Sequence, residues 1–258
     1  MKIGICKINP EMLYRTGCDY AELQFSKLAE MSESDYESIK ERHLALNLPV
    51  YSTNGLLPGS VILSERESFQ DFGLSEFLEA GYRRLSELGG KYAVIGSGKS
   101  RNYTDSEDKQ KGIERFARFT AFASEIAKGY GIVNVVEPLN SAETNIVFTL
   151  SDAKEIIDLA QLPENLAVLA DFYHISKEET VDSIRNLGSL VRHCHIANPI
   201  TRIAPLPNDG CEAHYKAFFS ALADIGYNGN VSIEASAPNG EETYRESVAY
   251  LKSLANNL

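Results

Sequence analysis

Residues 166–174 read LAVLADFYH. The run is apolar and β-prone through Leu169, breaks at Asp171, and places His174 three residues further on. An apolar run of this length predicts a strand buried on both faces, as in a parallel sheet. A carboxylate at the carboxyl end of such a strand is unfavourable if buried alone and calls for a cation or hydrogen-bond donors. Three other segments repeat the arrangement. VNVVEPLN (133–140) reaches Glu137, VRHCHIA (191–197) carries His195, and NVSIEAS (230–236) carries Glu234. Each strand-like run thus ends with a side chain able to bind a metal.

Working outward, strand-like and helical segments alternate along the chain. Strands are predicted at 3–8, 18–25, 50–57, 91–98, 132–138, 166–172, 191–197 and 230–235. Helices are predicted at 32–48, 75–90, 108–131, 151–161, roughly 177–188, 211–226 and 241–255, several of them stopped by glycine. Alternation without a composition break across 258 residues predicts an α/β fold of one domain, residues 1–258, closed as a (β/α)₈ TIM barrel. No G-x-G-x-x-G follows the first strand, which disfavours a dinucleotide-binding sheet. The GSGKS at 96–100 lacks the spacer of a phosphate loop and reads as a Gly-rich turn, with Lys99 and Arg101 able to meet an anion. The long loop from Asn54 to about Phe72 leaves a strand at the catalytic end and is expected to help cover a site there.

Composition narrows the partners. The formal net charge is −11, from 36 acidic and 25 basic residues, so the chain repels phosphate backbones and no nucleic-acid partner is expected. No apolar run is long enough to span a bilayer, and MKIGICKINPEML has no apolar signal region, so no membrane partner is expected. Cys6, Cys18, Cys194 and Cys211 form no CxxC pair and read as free thiols in a reducing cytoplasm.

In a closed barrel, side chains alternate between interior and helix layer, and sites form at the carboxyl ends of strands. Val133, Val135 and Glu137 share one face, as do Ala167, Leu169 and Asp171, then His193 and His195, then Asn230, Ser232 and Glu234. Each polar end alone has an ordinary structural reading: a Glu can cap a helix or pair with Arg, Asp171 can cap a turn, and His193 reads as a satisfied barrel histidine. Together, Glu137, Asp171, His195 and Glu234 form an oxygen-rich set with one imidazole. That set suits one divalent ion, Mn²⁺ first, with Mg²⁺, Co²⁺ or Zn²⁺ as alternatives.

EPLN (137–140), ADFYH (170–174), HCHIA (193–197) and VSIEAS (231–236) resemble the xylose-isomerase-like sugar isomerase and epimerase family, and the eight-unit order extends the resemblance over the whole chain. That family includes ketose 3-epimerases, hydroxypyruvate isomerase, inosose dehydratase and an endonuclease branch. The resemblance implies Glu137, Asp171, His195 and Glu234 as metal ligands, with Glu137 and Glu234 also the catalytic acid/base pair. It implies sugar contacts from Glu143, His174 and Arg202, and Asn54 at the exit of the third strand joins them. The chain departs from many relatives by carrying Asn198 where they have an acid. The implied activity is isomerisation or epimerisation of a sugar or sugar phosphate by proton abstraction next to a carbonyl, through a metal-stabilised enediolate. The alternative is a lyase or dehydratase acting on a cyclic polyol or keto-sugar at the same site. A zinc endonuclease needs more histidines and a basic groove, and a non-catalytic sugar-binding barrel has no need of two glutamates on one metal. A homo-oligomer is compatible with the family.

Overall fold

The computed structural model describes residues 1–66, 68–70, 72–161 and 164–256. Eight strands, β1 (Lys2–Cys6), β2 (Tyr20–Gln24), β3 (Val50–Asn54), β4 (Tyr92–Ile95), β5 (Val133–Val136), β6 (Leu166–Asp171), β7 (Val191–Ile196) and β8 (Asn230–Ile233), pair in chain order and close into a barrel. Every pairing is parallel, including the β8–β1 closure that sets Gly4 beside Ser232. The expected (β/α)₈ barrel is therefore the fold.

Alternation divides the apolar residues into two bodies. Val94, Val135, Ala167 and Leu169 cluster with Tyr92 and Val133 inside the barrel. Their odd-even neighbours Val136, Val168, Ala170, Cys194, Ile196, Val231 and Ile233 belong to the larger core between barrel and helices. The interior face of β5–β8 is thus the one expected to carry the polar ends. Gly4 lies where a Cβ would strike the Tyr20 ring, so the missing side chain lets that ring fill the barrel.

The outer layer comprises α1 (Pro10–Thr16), α2 (Phe25–Glu30), α3 (Glu33–Ala45), α4 (Phe72–Glu87), α5 (Gly98–Arg101), α6 (Lys109–Lys128), α7 (Leu150–Ala160), α8 (Phe172–Glu178), α9 (Glu212–Asp224) and α10 (Glu241–Asn256). Local chemistry starts several of them. Asn9 accepts from the Met12 N–H ahead of Pro10, and Thr149 and Asp152 form a reciprocal capping box. None of these helices is long and apolar enough to cross a membrane.

The sixth crossover differs from expectation. A helix over about 177–188 is replaced by α8, which begins directly after β6, followed by 3₁₀ turns at Val181–Asn186 and Gly188–Leu190. Asp171 causes the early start: its side chain accepts from the Tyr173 N–H and caps α8. Extended backbone at Glu179 then ends the helix. The short α1, α2 and α5 are also additions to the predicted pattern, too brief to show a periodic stripe.

Candidate metal centre

Glu137 and Glu234 follow the last residues of β5 and β8, while Asp171 and His195 lie at the carboxyl ends of β6 and β7. Their ligand atoms all lie within 4.8 Å of one another. His195 Nδ1 sits among the three carboxylates, 3.4 Å from Glu137 Oε1, 3.7 Å from Glu234 Oε2 and 3.9 Å from Asp171 Oδ2. Glu137 Oε1 and His195 Nδ1 are buried and lack a hydrogen-bond partner. Buried polar atoms rarely stay unpaired, and an ion shared by this oxygen-rich set would satisfy both. The residues therefore fit one divalent cation.

Each of these candidate ligands is held by its surroundings. Asp171 divides its two oxygens: Oδ1 accepts from the Tyr173 N–H at 2.7 Å and Oδ2 faces the cluster. The capping and ligating readings of this residue are thus compatible. Glu234 accepts from Asn54 Nδ2 at 2.6 Å and from Arg202 Nη2 at 3.5 Å. Glu137 is positioned through its backbone, whose carbonyl accepts from Arg101 Nη1 at 2.7 Å. The same buried guanidinium also donates to the carbonyls of Gly96 and Val147 and to Thr144 Oγ1. Arg101 is therefore an internal clamp across three loop segments, not a residue free to meet an anion. Its sequence context, a Gly-rich loop, disguised that role. A Cβ on Gly96 would collide with Glu137 Oε2, so this glycine leaves the space the carboxylate occupies.

Burial dominates the electrostatics. It pushes the Glu137 carboxyl up to about 7; the nearby His195 imidazole opposes the shift, and the Glu234 and Asp171 charges add to it. Burial likewise raises Asp171 to about 6, reinforced by Glu234 and opposed by His195 and Arg202. Burial acts the other way on His195, but the negative charges of Glu22 and Glu234 prevail and hold its pKa well above the ordinary value. Three acids gathered and buried around one imidazole favour bound protons in the absence of a cation.

The sequence reading missed Glu22. It is fully buried on β2 and accepts from four side chains. Oε1 takes His195 Nε2–H at 2.8 Å; Oε2 takes His193 Nε2–H at 2.6 Å, Ser52 Oγ–H at 2.7 Å and Ser232 Oγ–H at 2.5 Å. Burial alone would raise its pKa, but the two imidazoles more than offset that and keep the carboxyl well below the usual range. His193 is a buried barrel histidine, stacked on Tyr92 and bonded to Glu22 through Nε2, while its Nδ1 has no hydrogen-bond partner. The polar run Tyr20–Glu22–Gln24, facing the interior of a barrel, was the available signal. Cys6, Glu22 and His195 also come within ligand range of one another, but His195 Nε2 and Glu22 Oε1 are already bonded together.

A cavity of about 420 Å³ opens over the cluster, and Asn54, Glu143, His174 and Arg202 all line it. His174 Nδ1 accepts from the Asn140 N–H at 3.1 Å, so the proton resides on Nε2, which is buried and unpartnered. Burial lowers the His174 pKa and keeps the ring neutral. Arg202 adopts φ +54°, donates to Glu143 Oε1 at 2.6 Å, and lies 4.6 Å from the centre of the Tyr173 ring. Asn54 lines the cavity with its amide N–H already committed to Glu234. Asn198 is turned into its own loop: Oδ1 accepts from the Ile200 and Thr201 N–H groups and Nδ2 donates to Asp209. Of the described residues in the loop after β3, Gly55 joins Asn54 in the lining of the cavity. Leu56, Leu57 and Leu63 are buried, and Phe69 packs edge-on against Phe119 of α6. Glu67 and Asp71 of that loop lie outside the described residues.

Comparison with known proteins places these residues in a context. Residues 11–254 match the xylose isomerase-like TIM barrel family. The 3-dehydro-D-guloside 4-epimerase of Escherichia coli K12 is 29% identical over 133 residues, covering 50% of this chain and 49% of that protein. The D-psicose 3-epimerase of Ruminiclostridium cellulolyticum is 30% identical over 137 residues, covering 52% of this chain and 44% of that protein. The match thus spans about half the length of these curated relatives or less. The crystal structure of an E. coli 3-keto-D-glucoside 4-epimerase, in apo form, superposes with a TM-score of 0.82 at 22% identity, covering 98% of this chain and 99% of that one. With a family match across nearly the whole barrel, the chain belongs to the xylose isomerase-like TIM barrel family.

Proposed function

We propose that this protein is a divalent-metal-dependent sugar epimerase or isomerase, working as one barrel over residues 1–258 on a sugar or sugar phosphate. The observation that supports it most is the convergence of Glu137 and Glu234 on His195 Nδ1, from strand ends that are three strands apart. Similarity to two sugar epimerases at 29% and 30% identity points the same way.

Glu137, Asp171, His195 and Glu234 would hold the ion, with Mn²⁺ the first candidate. When bound, a divalent cation supplies positive charge that stabilises an enediolate and the loss of a proton beside a carbonyl. Glu137 and Glu234 are the proton-moving pair. Glu137, with Oε1 toward His195 Nδ1 and Oε2 over Gly96, is placed to take or return a proton at the cavity floor. Glu234 is held by Asn54 at one oxygen, with its second oxygen facing the cluster and Arg202. One carboxylate removes the proton and the other returns it, inverting the centre if they act from opposite faces. His174 offers its unpartnered Nε2–H to a sugar hydroxyl. Arg202 and Glu143, joined as an ion pair at the cavity wall, bind and orient further hydroxyls, as does Asn54 through its carbonyl oxygen.

The test is a screen of Mn²⁺-loaded protein over ketoses, keto-glycosides and their phosphates in deuterated water. Solvent deuterium should appear at the carbon beside the carbonyl, together with epimer or isomer. Elimination of water instead would favour the dehydratase alternative, and no exchange with any substrate would refute the reading.

A further inference from the structure

We infer that Glu22 is a positioning residue for the metal centre, fixing His195 in the tautomer that presents Nδ1 to the ion. The inference rests on the metal reading proposed above and extends it from the four ligands to a residue on the far side of the imidazole.

The argument is one of counting protons. An ionised carboxylate only accepts hydrogen bonds. Glu22 is fully buried and every group facing it is a donor, so both His195 and His193 must carry their proton on Nε2. Ser232 has one hydroxyl hydrogen and gives it to Glu22, so the Tyr20 hydroxyl must in turn donate to Ser232, at 2.7 Å. No member of this network can reverse without leaving a lone pair facing the carboxylate, two acceptors with no proton between them. For the neutral His195 ring that a metal requires, a proton fixed on Nε2 makes Nδ1 the nitrogen with the lone pair, aimed at Glu137, Asp171 and Glu234. Imidazoles that bind metals commonly donate their other N–H to a carboxylate, which fixes ring orientation and raises basicity. Here that carboxylate comes from β2, on the opposite side of the barrel from β6, and its second oxygen is held by Ser52, Ser232 and His193. The support is built from four different strands, β2, β3, β7 and β8, so Glu22 itself has little freedom to move.

Glu22→Gln is the discriminating change. It keeps the volume but replaces one acceptor oxygen by a donor amide, so the two imidazole N–H groups compete for one oxygen. Mn²⁺ affinity, measured by electron paramagnetic resonance titration of folded protein, should fall by about 10–100-fold. Long-range proton–nitrogen spectra of the imidazoles provide a readout independent of activity. With Zn²⁺ bound, wild-type His195 should show a slowly exchanging Nε2–H and a metal-shifted Nδ1, and Glu22→Gln should lose the single tautomer. The wild-type spectrum decides the matter even if the variant fails to fold: metal on Nε2, or a fast-exchanging Nε2–H, overturns the inference. So does a folded Glu22→Gln protein that binds Mn²⁺ as tightly as wild type. A wild-type protein that binds no Mn²⁺ or Zn²⁺ overturns the metal reading as well, so the two failures are distinguishable.

Discussion

Strands β5–β8 deliver the side chains that converge at the site, and strands β1–β4 deliver the groups that hold them. Glu137, Asp171, His195 and Glu234 come from the first set. Glu22 on His195, Asn54 on Glu234, Arg101 on the Glu137 carbonyl and the bare Cα of Gly96 beside Glu137 come from the second. The acids of the first half are raised mainly by their burial, with the neighbouring negative charges adding to it. The supporting half contributes neutral donors, one buried guanidinium and one buried carboxylate whose hydrogen bonds are filled. The difference teaches that charge is concentrated on one half of the barrel and that its geometry is imposed from the other.

The largest expected effect lies in the chemical half. Glu137→Gln and Glu234→Gln each remove a proton-accepting carboxylate while keeping size and one ligand oxygen. At saturating Mn²⁺, with occupancy measured, each should lose turnover by at least ~10²-fold. Each should still exchange one epimer's proton with deuterated solvent without inverting the centre. Wild-type turnover in both metal-loaded variants would break the two-glutamate assignment and, with it, the contrast between halves.

Legibility followed the same division. Glu137, Asp171, His195 and Glu234 were readable because each ends an apolar run, and a polar residue there stands out against its own strand. Glu22 was not, because KIGICK and CDYAELQF alternate polar and apolar residues in a way that also describes an exposed strand face. Only ring closure buries that face. Arg101 was misread for a related reason: a Gly-Lys-Ser-Arg turn looks solvated until the carbonyls of Gly96, Glu137 and Val147 are brought around it. The eight alternations fixed the fold, but α8 was misplaced because its start depends on a cap supplied by Asp171, a residue already assigned to the site.

In the supporting half, Arg101→Met should leave four buried acceptors short of their donor, the carbonyls of Gly96, Glu137 and Val147 and Thr144 Oγ1. The expected loss is about 3 kcal/mol of stability, which for a domain of this size lowers Tm by roughly 6–12 °C. Differential scanning calorimetry checks it. An unchanged Tm would mean that the loops around Glu137 are held by other contacts.

A pH titration sharpens the comparison without mutation. Protons and metal compete for the same ligand atoms. With Glu137 raised to about 7 and Asp171 to about 6, Mn²⁺ affinity should be full at alkaline pH and fall as pH drops through these values. Between pH 8 and pH 6 the loss should be on the order of tenfold. Metal-free protein should respond with the opposite sign. Carboxyls whose folded pKa is raised contribute stability that is complete below their unfolded value near 4 and lost as pH rises through 6 to 7. His195, also raised, acts in the same direction. Thermal melts in chelator should therefore fall with rising pH across this window, and a flat profile in both states would refute the account of buried, raised carboxyls.

The smallest expected effect comes from one methyl group. Gly96 has no positive φ among the described residues, so alanine can adopt its backbone conformation without strain. What alanine adds is a Cβ in the space now held by Glu137 Oε2, with Glu137 Cδ only 3.3 Å away. The carboxylate must rotate, and Oε1, now 3.4 Å from His195 Nδ1, must move with it. Backbone and core are untouched, so Tm in the presence of chelator should stay within a few degrees of wild type. Mn²⁺ affinity and turnover should fall by about threefold to tenfold, the cost of displacing one ligand within a site that otherwise keeps its geometry. Gly98→Ala is the contrasting change two residues on. Its Cβ would meet the backbone oxygen of Glu143 at 2.5 Å, an atom that cannot rotate aside, so that variant should lose stability. If Gly96→Ala binds Mn²⁺ and turns over like wild type, the Glu137 side chain has room to spare and the β4 loop does not set its position.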